Sequence, residues 1–258
     1  LVDVHRQSML LDPALTGSYI EEKCRRSRQG EWIHKESGRR LRALVAVHLG
    51  GRACDLDGLR ALCREYRLKL IEDAAHSLPS FYHGQSGREM IGAQSEFAAF
   101  SFYATKNLAT GEGGMLTLRD ARLADRLRRL RLHGILGQTW GRARWRYDVL
   151  EFGYKYNLCD ILAAIGRIQL KRLPEMQSRR HRLAREYQRQ LAGLPLRLID
   201  APSPGTAQHL FTVELLDEGR ISRDDLVEGL YARGIATSLH FIPLHRFTHF
   251  KKMYKTRS

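Results

Sequence analysis

Four short apolar runs punctuate the middle of the chain, each bounded by polar or glycine-rich residues. Leu44–Val47 leads into His48-Leu49-Gly50-Gly51, Leu68–Ile71 stops at Glu72-Asp73, Phe97–Tyr103 stops at Ala104-Thr105-Lys106, and Met115–Leu118 follows Gly111-Glu112-Gly113-Gly114. Runs of this length between turn residues predict buried strands. Between the first two, Leu56, Leu59, Leu62, Cys63 and Tyr66 recur at helical spacing and share one face of a predicted helix. Strand, helix, strand in that order predicts parallel pairing across a crossover helix, and so an α/β fold with a mostly parallel sheet flanked by helices.

Leu123, Leu127 and Leu130 predict another helix after the fourth strand, and two amphipathic helices are expected at about 160–173 and 178–192. Beyond Pro202-Ser203-Pro204-Gly205 the pattern changes. An alternating strand is expected over His209–Leu216, then a helix capped by Ser222 with Asp225 three residues on and Gly234 as its stop, then a strand near Ile235–Phe241. The chain opens on Leu1-Val2-Asp3-Val4, a strand-like segment that reads as a chain entered midway. The expected organisation is a partial larger domain over 1–175 and a partial smaller C-terminal α/β domain over 176–258.

Composition narrows the classes. The chain has 258 residues, 43% of them hydrophobic, which supplies a sizeable core. Its apolar runs fall far short of the roughly 20 residues that cross a bilayer, so no membrane partner is expected. No secretory leader pattern is present, and Cys24, Cys54, Cys63 and Cys159 lack disulfide-scaffold or metal-site spacing, which predicts a cytoplasmic setting and no metal. The net charge of +15 permits attraction to nucleic acid or phosphorylated ligands. The arginines are dispersed, however, and the aromatic-plus-basic modules that read single strands are missing, so a solvated basic surface is expected rather than a nucleic-acid partner.

Two of the strand ends concentrate polar groups where an open parallel sheet binds ligands, just beyond the carboxyl ends of its strands. One carries Asp73 and His76, the other Ser101 and Lys106, and Lys106 is the sole lysine between Lys69 and Lys155. Alone, a strand-end carboxylate is commonly a cap and a lysine a surface group. Together they match pyridoxal 5'-phosphate (PLP) chemistry. A neutral lysine amine is needed to condense with the cofactor aldehyde, which a desolvated site favours by lowering the amine's pKa. A carboxylate keeps the ring nitrogen protonated, and hydroxyl or N–H donors hold the phosphate.

Ile71-Glu72-Asp73-Ala74-Ala75-His76, then Phe100-Ser101-Phe102-Tyr103-Ala104-Thr105-Lys106-Asn107, Gly111-Glu112-Gly113-Gly114 and Arg131-Leu132-His133-Gly134 come in the order and at the separations of one family's signatures. With Gly153-Tyr154-Lys155-Tyr156-Asn157-Leu158-Cys159-Asp160 and Leu239-His240-Phe241-Ile242-Pro243-Leu244-His245, they make nearly the whole chain resemble the DegT/DnrJ/EryC1/StrS sugar aminotransferases, above all members that aminate C4 of UDP-linked sugars. The resemblance implies the fold type I architecture of PLP-dependent transferases and the transfer of an amino group from glutamate to a nucleotide-linked keto sugar. It implies Lys106 as the Schiff-base lysine and proton shuttle, Asp73 on the pyridine nitrogen, Ala75 under the ring, His76 beside the ring's 3-hydroxyl, and Ser101 on the phosphate. Asn157 would reach the cofactor phosphate of a neighbouring subunit, making a homodimer part of the site, and His240 and His245 would meet the sugar nucleotide. A family dehydratase, which carries histidine in place of the lysine, is the close alternative. Two departures stand out: Pro79 occupies a position where the family usually has a small residue or glycine, and the family's N-terminal phosphate-binding turn and its final strand and helix lie outside the sequence.

Overall fold

The computed structural model describes residues 1–137, 147–216 and 221–254. The chain divides into two compact units, one of Leu1–Ala192 with Leu198–Val213 and the other of Gly193–Arg197 with Glu214–Ser258.

The first unit begins with α1 (Pro13–Lys23), whose N-cap Asp12 accepts a hydrogen bond from Leu15 N–H at 2.9 Å and whose first turn holds proline. A hairpin of β1 (Cys24–Arg26) and β2 (Trp32–His34) follows. Next come β3 (Ala43–Val47), α2 (Leu56–Tyr66) and β4 (Lys69–Asp73). A second hairpin, β5 (Phe81–Gly84) and β6 (Gly87–Met90), precedes β7 (Phe97–Ser101) and β8 (Gly114–Leu118). Then come α3 (Ala121–Leu130), the paired β9 (Ile135–Gly137) and β10 (Tyr147–Val149), and α4 (Asp160–Gln190).

The central sheet has the order β3-β4-β7-β8. β3 pairs parallel with β4, placing Val47 beside Asp73, and β4 pairs parallel with β7, placing Asp73 beside Ala99. β8 returns antiparallel to β7, with Ser101 opposite Gly114. The sheet is thus mixed but mostly parallel, as the alternation of strands and helix predicts. Leu56, Leu59, Leu62, Cys63 and Tyr66 form the buried stripe of α2 and pack with Ala46, Leu68 and Leu70 of the sheet region. Each of these leucines contributes about 1.5–3 kcal/mol on full burial. A second cluster joins Phe102 and Leu108 to Leu173 of α4.

Several expectations are corrected. The two helices at 160–173 and 178–192 are one helix, with Pro174 inside it. Proline deletes one backbone bond there, while Leu173 and Met176 on either side of it anchor the helix in the second cluster. Residue 175 lies within α4. Leu1–Val4 forms only a single bridge, Val4 to Leu11. The strand expected from His209 shrinks to Val213–Leu215 because the preceding backbone is bonded elsewhere: His209 N–H donates to Gly50 O at 3.0 Å and Thr212 N–H to Asp200 Oδ2 at 3.0 Å.

β11 (Leu196–Leu198) and β12 (Val213–Leu215) pair as a ribbon. The second unit contains α5 (Arg223–Tyr231), capped as expected by Ser222 Oγ accepting from Asp225 N–H at 3.1 Å, with Gly234 at φ 75° just beyond its end. Its last described elements are a short 3-10 turn, Leu244–Arg246, and α6 (Thr248–Tyr254). No strand forms at Ile235–Phe241, where no neighbouring strand pairs with it among the described residues. No helix among the described residues is long and apolar enough to cross a membrane.

Candidate active site

Because β3, β4 and β7 run parallel, the three segments that leave their carboxyl ends emerge along one edge of the sheet: His48–Gly51, Asp73–His76 and Ser101–Lys106. Each is tied down by hydrogen bonds made possible by where its strand stops. At the end of β4, Asp73 Oδ1 accepts from Ala75 N–H at 3.0 Å, turning the chain sharply back, while Ala74 N–H donates to Ala99 O at 2.8 Å and His48 N–H to Asp73 O at 3.1 Å. At the end of β7, Ser101 Oγ accepts from Tyr103 N–H at 3.3 Å. Phe102 N–H donates to Gly113 O at 2.9 Å and Thr110 N–H to Phe102 O at 2.8 Å, which closes the loop that carries Lys106.

The structure brings Asp73 and Lys106 into one electrostatic environment. Lys106 is half-buried. Loss of water pushes its amine below the ordinary lysine pKa, and the Asp73 carboxylate partly offsets that by favouring the charged form. The lysine and the carboxylate singled out in the sequence thus lie together: an amine whose pKa burial lowers and a carboxylate within its field. These residues fit a cofactor that needs a lysine on one atom and an acid on another.

His76 stands beside this pair on the same turn. Its Nδ1 accepts from Gly50 N–H at 3.3 Å, and its ring lies 4.4 Å, centroid to centroid, from that of His209. Ala75 and Ser101 are half-buried at the same sheet edge. Asn157 is exposed in the segment leading into α4 and is not drawn into this group. His240 and His245 belong to the second unit.

Sequence reasoning singled out none of three buried or half-buried residues that brace this region. His48 is fully buried and bonds Glu72 Oε2 at 3.2 Å through Nε2, while its Nδ1 accepts from Cys54 N–H at 3.0 Å. Its position directly after a parallel strand was the available signal. Asn107, adjacent to Lys106, is buried and bonds His209 and Ala207. His209 gave no signal at all, since it is 102 residues away from its partner.

Comparison with known proteins identifies the family of the chain. A model described as the DegT/DnrJ/EryC1/StrS aminotransferase family matches residues 1–258. The chain is 41% identical over 225 residues to the spore coat polysaccharide biosynthesis protein SpsC of Bacillus subtilis, covering 83% of this chain and 56% of that protein. Among solved structures, DesV of S. venezuelae in complex with a ketimine intermediate is 36% identical with a TM-score of 0.77, over 96% of this chain and 59% of DesV. The PLP-form of the sugar aminotransferase Spr1654 from Streptococcus pneumoniae is 26% identical with a TM-score of 0.79, over 98% and 63%. The chain thus spans less than two thirds of the length of each of these relatives.

Proposed function

The chain belongs to the DegT/DnrJ/EryC1/StrS aminotransferase family, and from that premise we propose that it serves as a PLP-dependent aminotransferase carrying an amino group from glutamate to a nucleotide-linked keto sugar. The proposed acceptor is the 4-keto position of a UDP- or dTDP-sugar, for cell-surface polysaccharide or secondary-metabolite sugars, in the cytoplasm. The observation that carries the reading is Lys106: a half-desolvated amine whose pKa is lowered and whose field includes Asp73.

When bound, PLP supplies an electron sink for the carbon that loses a proton. The residues of this chain do the rest. Lys106 Nζ, whose pKa burial lowers, would be the atom that holds the cofactor and moves the proton. Asp73 places a negative charge where a ring nitrogen would keep its hydrogen. Ala75 would support the ring face, His76 would flank its hydroxyl side, and Ser101 would offer a hydroxyl to the phosphate. His240 and His245 are assigned to the sugar nucleotide. Asn157 is assigned to the phosphate site of a second copy, with a homodimer as the working unit. Supporting that assignment, Asn157 is flanked by exposed apolar side chains, Phe152 at 89%, Tyr156 at 74% and Ile161 at 75% exposure, the kind of patch that marks an interaction surface. Lysine at position 106 disfavours the dehydratase alternative, which replaces it by histidine.

Borohydride reduction of the chain incubated with PLP tests the reading. A stable cofactor adduct is expected on the peptide containing Lys106 and on no other. Turnover of a keto-sugar nucleotide by Lys106→Ala would overturn the assignment.

A further inference from the structure

The loop of Lys106 is fastened to a segment a hundred residues away, and the fastening fixes hydrogen positions on two imidazoles. Asn107 Nδ2 donates to Ala207 O at 2.6 Å. A backbone carbonyl only accepts, so the amide orientation is determined and Oδ1 is the atom that faces His209 Nδ1 at 3.0 Å. His209 Nδ1 must then carry a hydrogen. The backbone of that same segment is laced to the end of β3: Ala207 N–H donates to Gly51 O at 3.2 Å and His209 N–H to Gly50 O at 3.0 Å. Ser80 reinforces the lacing, its Oγ donating to Gly51 O at 2.7 Å and accepting from Ala207 N–H at 3.1 Å. Gly50 N–H in turn donates to His76 Nδ1 at 3.3 Å, so that nitrogen lacks a hydrogen and Nε2 carries it. The two rings then meet at 4.4 Å, tilted by 46°.

We propose that Asn107, His209 and the Gly50 backbone form a hydrogen-bonded hoop, completed by the contact of the two imidazole rings, that fixes opposite tautomers on His76 and His209, and that His209 and Asn107 are positioning residues for the reaction. The hoop runs from the Lys106 loop through Asn107 to residues 207–209, across to Gly50–Gly51, and down to His76 on the Asp73 turn. It clamps the two strand-end loops that carry the reacting groups. A flip of His76 would place a ring carbon against Gly50 N–H and lose that bond. Its hydrogen-bonding face toward a ligand is therefore set before any ligand arrives. The tautomer assignment stands on protein atoms alone, while its bearing on the reaction rests on the PLP reading.

The test uses the chain with 15N-labelled histidine, cofactor-free, followed by titration with PLP. Long-range proton–nitrogen correlation spectra above the histidine titration range should show His209 as the Nδ1–H tautomer and His76 as the Nε2–H tautomer. Asn107→Ala should release His209 from the Nδ1–H form and shift the His76 signals, whereas Asn107→Asp, which keeps an acceptor oxygen, should retain it. His209→Phe keeps a ring against His76 and leaves Asn107 on Ala207, so it guards against a variant that merely fails to fold. It should weaken PLP binding roughly tenfold, as expected for loss of one orienting hydrogen bond, with a matching fall in kcat and little change in sugar-nucleotide KM. A purely structural role would lower thermal stability and leave tautomers and PLP affinity unmoved. An Nε2–H tautomer at His209 in the wild type, or wild-type PLP affinity in His209→Phe, overturns the hoop. Correct tautomers in a chain that yields no Lys106 adduct would instead defeat the enzyme reading and leave the hoop standing.

Discussion

Gly50→Ala is the perturbation whose cost the structure defines most closely. Gly50 has φ 69° and ψ 1°, a left-handed conformation that costs an L-residue about 1–2 kcal/mol. An added Cβ would lie 3.0 Å from Cγ of Asp200 and closer still to its Oδ1. Asp200 is 2% exposed and has little room to retreat, because Oδ1 accepts from Arg52 Nε at 2.6 Å and Oδ2 from Thr212 N–H at 3.0 Å. Displacing it sacrifices at least one charge-assisted bond, worth about 1.5–3 kcal/mol. Reduced freedom of the unfolded chain returns about 0.4–1 kcal/mol, leaving a net destabilisation of about 2–4 kcal/mol. Gly38 is the internal control, with φ 66° and nothing within 4 Å of its would-be Cβ. Gly38→Ala should cost only about 0.5–1 kcal/mol. Urea unfolding followed by circular dichroism reads both as midpoint shifts at constant slope. In an Asp200→Ala background the excess cost at Gly50 should vanish. Equal costs for the two glycines, or an excess that survives the removal of Asp200, would refute the argument.

Other outcomes follow from single features. Asp73→Asn removes the charge that partly raises the Lys106 pKa, so the amine should titrate at lower pH than in the wild type; competitive labelling of Lys106 across pH measures this, and an upward shift would contradict it. Glu72→Ala strands the buried Nε2–H of His48 and should cost about 1–3 kcal/mol, while Glu72→Gln keeps an acceptor and should cost clearly less; urea midpoints decide. Iodoacetamide should add once to the native chain, at exposed Cys159, and four times after denaturation by intact mass, since Cys24, Cys54 and Cys63 are buried and burial pushes the Cys54 thiol up to about 12 and the Cys63 thiol up to about 11. On the proposed homodimer reading, Ile161→Arg, which places a charge on the exposed apolar stripe that Ile161 forms with Ile165 and Ile168 on α4, should shift sedimentation from dimer to monomer; a wild type that sediments as a monomer, or a coefficient the substitution leaves unchanged, would contradict it.

What the sequence disclosed depended on the distance over which its signals act. The strands β3, β4, β7 and β8 were legible because each is a short apolar run between turn residues, and α2 because its stripe recurs at helical spacing. That Asp73, His76, Ser101 and Lys106 lie at strand ends was legible because the apolar runs stop there, and such ends are where parallel sheets place ligands. α1 was missed although Asp12-Pro13 is a capping signal, because its weak amphipathicity offers no stripe to read. The fusion of α4 across Pro174 depended on tertiary anchors, Leu173 and Met176, that a local rule for proline does not weigh. Asn107 and His209 escaped for a related reason. Their roles arise from a pairing between distant segments, and nothing in the spacing along the chain encodes it.

The clasp between Asn107 and Ala207 also orders events in time. A polypeptide emerges from the ribosome N-terminus first, so every strand of the four-stranded sheet is synthesised before residue 120. The lysine loop, by contrast, has to wait for a carbonyl that comes 100 positions later. A nascent chain halted between these points can lay down its sheet yet leave the Lys106 loop unfastened, so this clasp closes only late in translation.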